Sequence, residues 1–92
     1  MIFEWDESKR RANYDKHGLD FRDAKTIFQG LTISKEDTRK DYGEKRWITI
    51  GKLEDVTVVV VHVQRSERIR IISIRKANSK EKKIYEEKEN LF

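Results

Sequence analysis

Five basic side chains crowd the stretch from Arg65 to Lys76: Arg65, Arg68, Arg70, Arg75 and Lys76, with one acid, Glu67, beside them. A guanidinium fork binds a phosphate through two parallel hydrogen bonds and can stabilise the extra negative charge of a pentacoordinate phosphorus when RNA is cut. Such cleavage needs little else. An RNA 2′-hydroxyl attacks its own phosphate once a base removes its proton and an acid protonates the leaving oxygen, and no metal is required. His17, His62, Glu67 and the lysines are the groups that could move those protons. Each also has a plainer use. His17 falls at an expected helix C-terminus, where a cation caps carbonyls. His62 lies in a valine-dense strand, where a half-buried and satisfied histidine is the commoner case, and Glu67 falls in a solvated turn. The arginines themselves could simply protect an edge strand from aggregation. Trp47 beside Arg46 could stack on a base, although a strand tryptophan more often belongs to the core. The two histidines stand far apart in a chain without cysteine, which makes a poor metal site, so no cofactor is expected.

The charge is localised. Residues 1–61 carry 12 Lys/Arg and 12 Asp/Glu, residues 62–83 carry 8 and 2, and residues 84–92 carry 1 and 3. The whole +4 excess therefore comes from the segment around the arginines, as a polyanion-binding surface requires. A chain of 92 residues has room for one domain, spanning 1–92. Its tryptophans, phenylalanines and clustered β-branched residues argue for a folded core. Absence of cysteine excludes a disulfide framework and a thiol nucleophile and suggests the cytoplasm. The longest apolar run, around Val56 to Val63, is too short to cross a bilayer, so no membrane is expected.

The elements that must position these groups can be read from caps and periodicity. "IFEW" has strand character; Asp6 caps a helix over residues 7–17, and Gly18 supplies the left-handed residue after it. Asp20 and Asp23 start a second, short amphipathic helix that Gly30 stops. "LTIS", residues 31–34, alternates like a strand, and a polar loop from Lys35 to Glu44 follows. "RWITIG", "VTVVVVHVQR" and "RIRIISIR" form an antiparallel meander, the second nearly apolar on both faces as a central strand would be. Asn78 and Glu81 cap a last helix with few apolar residues to bury. The order β-α-α-β-β-β-β-α predicts an α+β domain, an antiparallel sheet with helices packed on one face.

A tight hairpin at Ser66 and Glu67 would put Arg65, Arg68 and Arg70 on one face with Val59, Val61, Val63, Ile72 and Ile74. Arg75 and Ser73 would then join His62, Ile69 and Ile71 on the other. In a regular strand Arg70 and Arg75 must face opposite ways; a bulge would change that.

The blocks "FEWDESKRRANYDKHGLDF", "EKRWITIG", "VVVVH.QR.ERIRIISIRKA" and the closing "E...YEE" resemble the BrnT toxins of bacterial type II toxin-antitoxin systems, over nearly the full length. The resemblance implies a small RelE-like domain and a ribonuclease that blocks translation. It also implies neutralisation by a BrnA-type antitoxin whose complex with the toxin binds operator DNA. By position it carries over Arg65, Arg70 and Arg75, with Glu67, Ser73 and Lys76 beside them, and Lys16, His17 and Arg46 in the other blocks. On this reading Arg65 and Arg75 contact the scissile phosphate, and Glu67 or His62 assists proton transfer. Lys16, His17, Arg46, Arg68, Arg70, Ser73 and Lys76 bind the RNA. The loop from Lys35 to Glu44 matches no family pattern and is the expected seat of substrate preference. The same charge pattern would also serve a non-catalytic nucleic-acid-binding module or a subunit that only binds antitoxin.

Overall fold

The computed structural model describes residues 1–91. Strand β1 (Ile2–Glu4) leads into helix α1 (Glu7–His17). Asp6 caps that helix by accepting the Lys9 N–H at 3.1 Å, and Gly18, at φ 69°, closes it onto the Tyr14 carbonyl. A 3₁₀ turn (Phe21–Asp23), its start capped by Asp20, runs directly into α2 (Ala24–Gln29). Strands β2 (Ile33–Asp37), β3 (Arg46–Leu53), β4 (Val56–Arg65) and β5 (Arg68–Lys76) follow, and the last element, α3 (Ser79–Glu89), begins on a capping box between Asn78 and Glu81.

The strands form one sheet in the order β1-β5-β4-β3-β2. β4 is central, and Val58, Val59, Val60, Val61 and Val63 are all buried, because both of its faces are covered. The expected all-antiparallel sheet is corrected in one place: β1 runs parallel to β5, with Ile2 opposite Arg68 and Glu4 opposite Arg70, so the sheet is mixed. A parallel neighbour cannot be joined by a hairpin. Here the whole intervening chain makes the crossover, which alternation within single strands does not reveal. The order also differs from the expected one by the 3₁₀ turn ahead of α2.

The helices lie on two faces, not on one. Under the first face, Phe21, Ala24 and Ile27 meet Val58, Val60, Ile69, Ile71 and Ile74 in the main core, with Phe3, Trp5 and Phe28 at its rim. Under the second, Tyr85 of α3 and Ala77 pack on Ile50 and Val59. The Tyr85 hydroxyl donates to the Leu31 carbonyl at 2.7 Å. One buried aromatic with a satisfied hydroxyl is enough to dock a helix whose sequence offers little apolar surface.

Gly51 faces the first core, where a Cβ would come within 2.8 Å of Ile27 Cγ2. That methyl branches from a fully buried side chain and has little room to give. Gly51→Ala is expected to cost about 1–3 kcal/mol through overpacking. Urea unfolding measures this directly, and an unchanged midpoint would show that α2 can lift from the sheet.

Candidate functional site

The hairpin register at Ser66 and Glu67 is the expected one: Arg65 pairs with Arg68, Val63 with Arg70 and His62 with Ile71. Beyond His62 it shifts. Val61 lies opposite Ser73 and Val59 opposite Arg75, so Ile72 is an extra residue on β5, a β-bulge. One inserted residue exchanges the faces of everything after it. Ile74 turns toward Val60 in the main core, correcting its assignment to the arginine face. Ser73 and Arg75 turn to join Arg65, Arg68 and Arg70, correcting theirs. Arg46 joins them from β3, opposite Val63.

One face of the sheet thus carries the arginines in rows. The outermost holds Arg65 and Arg68. The next runs Asp37, Arg46, Val63, Arg70 and Glu4 across all five strands. A third holds Lys35, Ile48, Val61 and Ser73, and a fourth holds Ile33, Ile50, Val59 and Arg75, where α3 begins to cover the sheet. Arg65 and Arg75 share this face but stand six positions apart along the ladder, about 20 Å of strand. They cannot hold the same phosphate.

Carboxylates hold these cations apart. Arg65 donates to Glu44 through Nε and a terminal nitrogen, at 3.3 and 3.0 Å. Glu4 lies 4.0 Å from Arg68 and 3.9 Å from Arg70. Arg75 grips Glu81 through both terminal nitrogens at 2.8 and 2.9 Å. The Arg46 guanidinium lies over the Tyr42 ring, its carbon 4.0 Å from the centroid, and its buried Nε has no hydrogen-bond partner among the described residues. Tyr42 in turn donates to Asp37 at 3.2 Å; Asp37 is buried and receives Arg39 through two bonds of 2.8 Å. Those bonds hold the Asp37 carboxyl well below the usual range and keep it ionised. They also anchor the segment after β2, which is strand through Asp37 where a loop was expected from Lys35.

Glu44 is the acid that sequence reasoning passed over. The hydrogen bond from Arg65, and then the charges of Arg65, Arg46 and Arg70, lower its pKa. It stands at the edge of the arginine cluster, exposed and ionised. The only sequence signal for it was its closeness to Arg46 in "EKRW".

Other expected site residues lie elsewhere. His62 is buried on the opposite face, its Nε2 2.6 Å from Thr49 Oγ1, which is in turn 2.6 Å from Ser34 Oγ. The Phe28 ring meets its imidazole edge-on, and its Nδ1 has no partner. Glu67 occupies the exposed hairpin tip beside Ser66, which adopts a left-handed φ of 57°. Lys16 and His17 form the last turn of α1, from which the chain enters the main core at Leu19 and Phe21. Lys76 pairs with Val58 at the far end of the sheet from Arg65.

Burial pushes the His62 imidazole down to about 4. The unfolded chain protonates this residue near pH ~6.5, so protons favour the unfolded state. Its contribution to stability is complete above about pH 6.5 and is lost as the pH falls toward 4, by an amount on the order of 3 kcal/mol. Unfolding midpoints at pH 7 and pH 5 should therefore diverge in the wild type and converge in His62→Gln. Equal slopes in the two proteins would mean that His62 accepts a proton inside the fold.

A mixed sheet with helices against both faces, one of which carries a row of carboxylate-paired arginines beyond the reach of α3, defines a small α+β protein. The chain belongs to the BrnT family: residues 5–81 match the family described as "Ribonuclease toxin, BrnT, of type II toxin-antitoxin system". Membership in such a family implies an RNA target and an antitoxin partner. No curated protein matches the chain. Among the described residues no helix is long and apolar enough to cross a membrane.

Proposed function

We propose that the chain is a RelE-like, metal-independent endoribonuclease whose cutting centre is the cluster of Glu44, Arg46, Arg65 and Arg70. The observation that carries this is the ionised Glu44 carboxylate set among three guanidinium groups on an open sheet face. A scissile phosphate takes the place of Glu44 on Arg65, which both binds the substrate and releases the carboxylate. Freed of its hydrogen bond, Glu44 becomes more basic and accepts the proton of the neighbouring 2′-hydroxyl. The 2′-oxygen bonds to phosphorus, the bond to the 5′-oxygen breaks, and that oxygen takes a proton from water. The products are a 2′,3′-cyclic phosphate and a 5′-hydroxyl. Arg46 and Arg70 stabilise the dianionic phosphorane, the role a bound metal would otherwise fill. Arg68 and Ser73 hold flanking parts of the RNA.

In the cell this activity blocks translation in the cytoplasm. A BrnA-type antitoxin neutralises it, and their complex binds operator DNA. Incubation of the purified protein with RNA in excess EDTA tests the chemistry: fragments ending in cyclic phosphate are expected. Cleavage that disappears in EDTA and returns with magnesium would overturn metal independence, and intact RNA that nevertheless binds the protein would make the chain a binding module.

A further inference from the structure

Between β2, β3 and the start of α3 lies a groove of about 320 Å³. Ile33, Ile48, Ile50 and Ile84 form its apolar lining, and Lys35, Arg39, Arg75 and Lys80 surround it. Of these four cations Arg39 is held by Asp37, and Arg75 by Glu81, the one carboxylate lining the groove, which also closes the capping box of α3. Lys35 and Lys80 form no salt bridge among the described residues. Ile84 is 41% exposed although it stands over this apolar floor.

An apolar slot rimmed by positive charge fits a ligand with a flat apolar body and an anionic group, which is the chemistry of a nucleotide. Arg75 offers more than its bonds to Glu81 and to the Lys76 carbonyl use, since a guanidinium has five N–H donors. The groove opens on the face that carries Arg46, Arg65 and Arg70, and Arg75 lies about 20 Å along the strands from Arg65. An RNA strand laid from the hairpin end toward α3 would therefore bring a nucleotide other than the two at the cut into the groove.

We infer that this groove is a second nucleotide subsite, in which the base sits over Ile33, Ile48 and Ile84 and the phosphate meets Arg75, Lys35 and Lys80. It rests on the ribonuclease reading for its role in the reaction: it reads sequence at a distance from the scissile bond. Binding itself does not depend on cleavage.

The test is NMR titration of methyl-labelled protein with each of the four 5′-mononucleotides and, separately, with inorganic phosphate. RNA cleavage by the same preparation is followed in parallel. Nucleotides are expected to shift the Ile33, Ile48 and Ile84 methyl signals saturably, with one base preferred, while phosphate alone leaves those methyls in place. Lys35→Ala with Lys80→Ala should weaken nucleotide binding by about tenfold, since both replace unpaired surface cations. The double variant should also flatten the base preference at a position removed from the cut when RNA ends are sequenced. Methyl signals that stay still, or that move equally with phosphate, overturn the subsite even if the wild type cuts RNA. So does a response to an acidic protein segment and not to any nucleotide. Shifted methyls in a protein that cuts no RNA keep the subsite and sink the nuclease reading instead.

Discussion

Glu44→Gln and Arg65→Ala each lower the rate of RNA cleavage by about 100- to 10,000-fold, the range expected for loss of a general base or of a phosphorane-stabilising cation. Both variants keep the wild-type melting temperature. The two side chains are 40% and 48% exposed, and an ion pair in that setting contributes little to folding because water and salt screen it. The pair of measurements separates chemistry from structure. Single-turnover kinetics locate the loss in the chemical step, and growth after induction in bacteria should recover in step with it. Arg75→Ala behaves differently. It is six positions from Arg65 and tied to α3 through Glu81, so its loss weakens RNA binding more than it slows the cut. Should Glu44→Gln cut at the wild-type rate while Glu67→Gln does not, the proton transfer belongs to the hairpin tip.

Asn13→Ala should be among the most damaging single changes to stability in the molecule. The Asn13 side chain is buried, and its amide donates to the Leu19 carbonyl at 3.0 Å and the Ile74 carbonyl at 2.9 Å. Its oxygen accepts the Ile74 N–H at 3.1 Å. β1 pairs with β5 only as far as Arg70, so beyond that point the edge of β5 needs another partner, and Asn13 supplies it in the manner of a strand residue. Alanine leaves three backbone groups unpaired in a dry site, at a cost of about 2–4 kcal/mol. For a domain of this size the melting temperature falls by roughly 10–25 °C. Asn13→Asp keeps the acceptor but loses the donor and buries a charge, so it rescues little. A drop of only a degree or two in Asn13→Ala would show that α1 is held by its other contacts, such as the Arg10 bridge between Glu7 and Asp20.

Asn13 also shows where a motif can mislead. In the "N..KHG" block the eye goes to His17, a residue able to titrate, while the asparagine does the structural work and Gly18 ends the helix. Both histidines drew attention for the same reason. His62 is the clearer case: the β-branched density around it foretold burial, and burial keeps its imidazole neutral on the face away from the arginines. The last helix misled in the other direction. Its composition offered little to bury, yet Tyr85 seats it with a buried ring and a satisfied hydroxyl, and Glu81 and Glu89 tie it to Arg75 and Lys52 of the sheet.

The sequence by itself determined the local structure: the caps at Asp6, Asn78 and Gly18, the three long strands β3, β4 and β5, the central place of the valine-rich β4, and the hairpin register at Ser66 and Glu67. These depend on neighbours within a few residues, whose hydrogen bonds and side-chain periods are written in the chain. It also confined the positive charge to one segment. Only the tertiary structure decided which face that charge occupies. Alternation sent Arg75 away from Arg70, and one bulged residue, Ile72, brought it back. The bulge satisfies two demands at once, Ile74 in the core and Arg75 on the face of the other arginines, and such a demand arises only when the sheet is packed. Glu44 and Glu4 joined the arginines in the same way, from segments 21 to 66 residues distant in the chain, because pairing across strands sets neighbours that spacing along one strand cannot show.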